Sequence, residues 1–140
     1  KVAAATTASA VMERFQPQQV LFTGVAGGLA SGVEVGDIVV GTAFLQHDLD
    51  ASPLFPRWEV PGRGCSRFPA DLALTQVLHD AARDAVTWLP KLLDEATLAS
   101  LGLHRPSVHR GLIVSGDRFV STNAESEALR LARGETPQGA

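Results

Sequence analysis

The stretch "VLFTGVAGGLASGVEVGDIVVG", Val20 to Gly41, sets Gly24, Gly27, Gly28, Gly32 and Gly36 between two apolar runs. "QVLFTG", Gln19 to Gly24, and "GDIVVGTAFL", Gly36 to Leu45, are short and rich in β-branched and aromatic residues. This predicts two strands largely buried on both faces. A dinucleotide fingerprint needs G-x-G-x-x-G leading into a helix. Here the spacing is G-x-x-G-G, and the next strand begins too soon after Gly28 for a crossover helix. A Walker loop needs Gly-Lys followed by Ser or Thr, and no lysine lies in the stretch. Spacing leaves two readings open. One is a tight turn with no ligand; the other is a bare-backbone loop whose N–H groups approach a flat ring or an anion without a Cβ between.

Upstream, Val2, Ala5, Ala8, Val11, Met12 and Phe15 recur at helical spacing, and Pro17 ends the predicted helix. Downstream, Asp50 to Pro69 holds Pro53, Pro56, Pro61, Pro69, Gly62 and Gly64 with Phe55, Trp58 and Phe68 interleaved. That composition predicts a long ordered loop or an interface arm, because aromatic residues in such a loop need a surface to pack on. Asp71 to Trp88 returns to helical spacing, and Pro90 is expected to break it. "KLLDEATLASLG" predicts a second short helix, with Gly102 as a left-handed cap. "VHRGLIVSGDRFV", Val108 to Val120, predicts a third strand and a polar turn. Thr122 and Glu125 have capping-box spacing, so a helix is expected from about Asn123 to Arg133, with Gly134 just beyond.

The 140 residues, 45% hydrophobic, are enough for one compact α/β or α+β core. Net charge is −3, with Lys and Arg scattered, so there is no electrostatic footprint for nucleic acid or an anionic membrane. Cys65 is the only cysteine, which excludes an internal disulfide and a thiolate zinc cluster and fits a reducing, cytoplasmic setting. No apolar run approaches the roughly 20 residues of a membrane-spanning helix. The sequence opens on Lys1 inside a helical pattern and closes on "GETPQGA", and part of a longer polypeptide is the expectation.

Four segments in order, "FTGVAGGL", "VGDIVV", "QHDLDASPLFPRWEVPG" and "GLIVSGDRFVST", carry a family likeness. The chain resembles the nucleoside phosphorylase and nucleosidase superfamily, and within it the bacterial 5′-methylthioadenosine/S-adenosylhomocysteine nucleosidases. The resemblance is specific over Val20 to Gly64 and His109 to Thr122, loose over the first helix, and nearly absent from Arg67 to Pro106. It implies an α/β fold of three α/β/α layers with a mixed central sheet, incomplete at both ends, with residues 1–140 as a single partial domain. It also implies a homodimer and cleavage of a purine N-glycosidic bond, with neither metal nor other cofactor.

By the same resemblance, Val25, Ala26 and Gly27 form a wall beside ribose and base, Phe119 stacks on adenine, and the Val120 backbone hydrogen-bonds the base edge. Leu54 and Pro61 fall where the family's arm crosses the dimer interface and closes the neighbour's pocket around a 5′-alkylthio group. Related phosphorylases grip phosphate with an arginine two positions before the first glycine and a hydroxyl residue just after it. Those places are Phe22 and Val25, which offer no charge-assisted hydrogen bond, so water is the expected nucleophile. Many of the nucleosidases have a hydroxyl residue at the place of Val25, so here that side chain is expected to pack instead. The family's catalytic carboxylates lie outside residues 1–140: a water-activating glutamate upstream, and a Met-Glu pair and a purine-protonating aspartate downstream.

The remaining polar candidates read more plainly. In an extended segment, Asp48 and Asp50 share one face and His47 takes the other, which makes a common metal shell awkward. Asp117 is expected to cap backbone N–H groups, with general-acid work as the lesser alternative. His79, His104 and His109 have no partner at useful spacing. The functional expectation is hydrolysis of a 5′-thio-substituted adenosine. A futalosine-type hydrolase, a purine nucleoside phosphorylase and a non-catalytic module of the same fold are the alternatives.

Overall fold

The computed structural model describes residues 1–103 and 105–132. Helix α1 (Val2–Phe15) is followed by strand β1 (Ile38–Gln46), strand β2 (Arg67–Pro69), helix α2 (Leu72–Leu92), helix α3 (Glu95–Ser100), strand β3 (Val108–Ser115) and helix α4 (Asn123–Ala132). The sheet has the order β2-β1-β3, antiparallel on the β2 side and parallel on the β3 side. The expected α/β class and mixed sheet are both present. His104, Arg133 and Gly134, to which the sequence also pointed, lie outside the described residues.

A bulge sets how β1 meets its surroundings. Strict alternation would put Val40 and Leu45, five residues apart, on opposite faces. The register against β3 slips between Gly41 and Ala43, so one extra residue is absorbed and the two side chains come to share a face. They are the buried apolar residues of the described chain, at 7% and 3% exposure, and α2 lies against β1 and β3. The bulge carbonyl of Gly41 accepts from Thr75 Oγ1 of α2 at 3.4 Å, and the Thr42 carbonyl accepts from Ala70 N at 3.0 Å. Thr75 is buried on making that contact, as a polar group taken out of water must find a partner.

Local signals set the helix ends. Asp71 caps α2 by accepting from Leu74 N at 2.8 Å, and Asp94 caps α3 by accepting from Thr97 N at 2.7 Å. Gly102 takes φ +69°, with its N–H on the Ala99 carbonyl and the Leu103 N–H on the Leu98 carbonyl, a Schellman closure. Pro90 does not break α2, which runs on to Leu92. A proline so near the end removes one helical bond, and the Leu93 N–H still reaches the Leu89 carbonyl at 3.0 Å.

Two strand expectations change. Gln19 to Gly24 is not assigned as a strand, since a strand needs a neighbour to pair with and none of the described residues supplies one. In contrast, the proline-rich segment contributes β2, which pairs Ala43 with Pro69, Phe44 with Phe68 and Leu45 with Arg67.

Asp37, at the entry to β1, ties the parallel pair together. Its carboxylate accepts from Glu34 N at 2.9 Å, Ser107 N at 2.6 Å and His109 Nε2 at 2.9 Å. The two backbone N–H groups and then the imidazole lower its pKa from 3.8 to about 2. A depressed carboxylate stabilises the fold above its unfolded pKa, and that contribution is lost as pH falls through the folded value. Between about pH 4 and pH 2, Asp37→Asn should therefore flatten the acid-unfolding profile of the complete protein relative to wild type. Identical profiles over that window would contradict it.

Candidate functional site

In open α/β sheets, ligands bind beyond the carboxyl ends of the strands. The parallel strands β1 and β3 both end at the same edge, in His47–Asp48 and Gly116–Asp117. The His47 N–H continues the ladder to the Ser115 carbonyl at 2.9 Å. Gly116 is pressed against this turn: a Cβ there would lie 2.4 Å from His47 Nε2 and 2.9 Å from Asp48 Cγ. Asp48 Oδ2 accepts the Asp117 N–H at 2.7 Å, while Oδ1 accepts from Lys1 Nζ. Burial opposes ionisation of Asp48, but the Lys1 ammonium and the Asp117 N–H outweigh it and hold the carboxyl well below the usual range.

Phe119 and Val120 follow on the connection to α4. The Phe119 ring is 86% exposed and Val120 is half-buried. Beyond them half of the expected capping box forms: Glu125 N donates to Thr122 Oγ1 at 3.2 Å, while the Glu125 carboxylate takes the Thr122 hydroxyl and not the Thr122 N–H. Glu125 does more than its spacing indicates. It accepts from Arg118 Nη2 and from Ser121 N at 3.2 Å, and these partners, Arg118 first, bring its pKa from 4.5 to about 2. The segment carrying Phe119 and Val120 is thus bracketed by two ionised carboxylates.

The glycine loop is open to solvent. Val25 is fully exposed and Phe22 is 93% exposed. A Cβ at Gly27 would meet nothing within 4 Å, whereas one at Gly28 would meet Val33, where the chain turns back. Ala26 is exposed as well. Among the described residues no hydrogen bond joins this loop to Phe119 or Val120. The arm is held through Trp58, whose Nε1 donates to the His47 carbonyl at 3.1 Å and whose N–H donates to the Leu49 carbonyl at 3.0 Å, while Leu54 and Pro61 are exposed.

His47, Asp48 and Asp50 do not converge. His47 is buried, Asp48 faces Asp117, and Asp50 accepts from Ser52 N at 3.1 Å within its own turn. Among the described residues no group of three or more His, Cys, Asp or Glu could hold a metal ion. The Asp117 carboxylate accepts from the Lys1 main-chain nitrogen at 2.7 Å, and its own N–H is bound by Asp48. His109 has a partner after all, Asp37, 72 residues away in sequence. His79 lies 3.6 Å from Asp80, and its Nδ1 is buried without a hydrogen bond. It lines an open groove of about 410 Å³ with Arg83, Val86, Thr87 and Val108, at the amino end of β3 and away from the strand ends described above.

A mixed sheet with an exposed aromatic residue held at the carboxyl ends of its parallel strands defines an α/β protein, and sheets of this kind bind ligands at that edge. The phosphorylase superfamily model matches residues 1–135, and the chain belongs to that superfamily. It is similar to the 5′-methylthioadenosine/S-adenosylhomocysteine nucleosidase of Exiguobacterium sp., 34% identical over 122 residues, covering 86% of this chain and 44% of that protein. It also resembles the crystal structure of the Neisseria meningitidis enzyme of the same name in complex with methylthio-immucillin-A. That match has a TM-score of 0.71 and 32% identity and covers 96% of this chain and 51% of that one. The Helicobacter pylori futalosine hydrolase matches with a TM-score of 0.72 and 25% identity, covering 94% of this chain and 50% of that one. The chain spans about half the length of the relatives it matches.

Proposed function

We propose that the complete protein hydrolyses the N-glycosidic bond of a 5′-thio-substituted adenosine, 5′-methylthioadenosine or S-adenosylhomocysteine, and releases adenine. The observation that carries this reading is the Phe119–Val120 segment, its Phe119 exposed, braced on both sides beyond the carboxyl ends of β1 and β3, in a chain 34% identical to a nucleosidase of that name. Phe119 offers a flat apolar face for the purine, and the Val120 main chain offers hydrogen-bonding groups to its edge. Val25, Ala26 and Gly27 form the wall beside the sugar. Leu54 and Pro61, reaching from one copy of a homodimer to its partner, hold the alkylthio group by apolar contact, at roughly 0.8 kcal/mol per buried methylene.

Water is the nucleophile in this reading: its oxygen bonds to the anomeric carbon, the purine leaves with the bond pair, and a proton goes to the departing ring. Phe22 and Val25 support water over phosphate, since neither side chain can donate a hydrogen bond to an anion. The carboxylates for this chemistry are expected elsewhere in the polypeptide, and the single cysteine suits a reducing cytoplasm. Adenine release by the complete protein should proceed at the same rate with and without inorganic phosphate and yield the free sugar. A strict requirement for phosphate, with a sugar 1-phosphate as product, would overturn the proposal. The futalosine hydrolase likeness supports a second substrate class, and a panel of both nucleosides under the same conditions separates the two.

A further inference from the structure

We propose that Asp48 is a positioning residue for the base site, acting through the backbone of the turn that carries Phe119 and Val120. This rests on the base-binding role given to that segment above. Asp48 does not itself reach Phe119. It binds the Asp117 N–H at 2.7 Å, and Gly116, the residue before, lies so close to His47 and Asp48 that only a glycine fits without displacement. Glu125 takes the Ser121 N–H at 3.2 Å on the far side. Four residues, Asp117 to Val120, therefore run between two carboxylate anchors, one in the turn just past β1 and one on α4.

The β1 anchor also meets the arm. The His47 carbonyl accepts from Trp58 Nε1 at 3.1 Å, and the His47 N–H holds the Ser115 carbonyl at 2.9 Å. The His47–Asp48 turn, with His47 buried, thus joins Trp58 of the arm to the root of the base segment. Lys1, at the start of α1, closes the charge on Asp48. A segment already held in its binding geometry loses less conformational freedom when a ligand arrives, which tightens binding without adding a contact. The expected signature is therefore in affinity, not in the chemical step.

The test compares Asp48→Ala with Asp48→Asn in the complete protein, using 5′-methylthioadenosine turnover and adenine binding by calorimetry. Asp48→Ala should raise KM and the adenine Kd by about tenfold, the scale of one charge-assisted hydrogen bond, with kcat within about twofold. Asp48→Asn keeps an acceptor for the Asp117 N–H and should restore both values to within about threefold of wild type. A fall in kcat at unchanged KM and Kd, or an Asn variant as impaired as Ala, would overturn the proposal. If Asp48→Ala does not fold, hydrogen exchange in the wild-type protein decides: the Asp117 amide should be protected without ligand, and exchange at the rate of an open loop refutes it. Wild-type protein that releases no adenine defeats the functional reading instead, which is a separate result.

Discussion

The 140-residue chain alone is expected to release no adenine from 5′-methylthioadenosine and to show no cooperative unfolding transition. A folded monomer of 14.8 kDa exposes roughly 7,000 Å². This chain exposes 10788 Å². Among the described residues only Val40 and Leu45 are buried apolar side chains, while Val2, Val11, Met12 and Phe15 of α1 are exposed along a helix whose spacing predicted a buried face. Chemistry points the same way. Protonating a purine leaving group near neutral pH calls for an acid with a pKa in that region. Asp37 and Glu125 are held near 2, and Asp48 is held ionised by the partners that fix it in place. Adenine release measured by chromatography, with a thermal melt of the same sample, checks this. Turnover by the isolated chain at the rate of the complete protein would refute it.

In the complete protein, Leu45→Ala should cost about 2–5 kcal/mol of stability, the range for emptying a well-packed aliphatic site. Leu45 is 3% exposed on β1, the strand that pairs with both β2 and β3. It faces the same way as Val40 because the bulge at Gly41–Ala43 restores the register. The cavity would open between the central strand and α2, where neither neighbour can collapse freely: α2 is pinned by Thr75 on the Gly41 carbonyl and by Gln76, which accepts from Arg110 Nη2 at 2.6 Å. Urea unfolding of the variant and wild type gives the difference. A loss under about 1 kcal/mol would mean that the site closes up, contrary to the packing described.

Much of the local structure was legible in the residues. The periodicity of Val2 to Phe15, the Asp71 to Trp88 pattern, the Thr122–Glu125 pair and Gly102 each act within a turn or two of chain, so the sequence names the helix and its cap together. The likeness of "FTGVAGGL" and "GLIVSGDRFVST" to nucleosidases was legible for the same reason, since each motif is contiguous. What escaped were contacts made across the sheet. Asp37 and His109 are 72 residues apart and Asp48 and Asp117 are 69 apart, and no spacing rule links either pair. His47 and Asp48 looked like halves of a weak metal motif, yet one is buried beneath Gly116 and the other holds a backbone N–H.

The amino-acid sequence by itself determined the helices, their caps, the two strands that β-branched runs announce at β1 and β3, and the absence of phosphate-gripping side chains at Phe22 and Val25. These follow from propensities and hydrogen bonds that each residue satisfies with near neighbours. Only the tertiary structure decided that Gln19–Gly24 finds no strand partner among the described residues, that the proline-rich segment supplies β2, that a bulge turns Leu45 inward, and that Asp48 braces the turn before Phe119. Each of those depends on a partner whose place is fixed by the sheet, because a strand, a bracing carboxylate or a bulge is stable only when a distant part of the chain completes its hydrogen bonds.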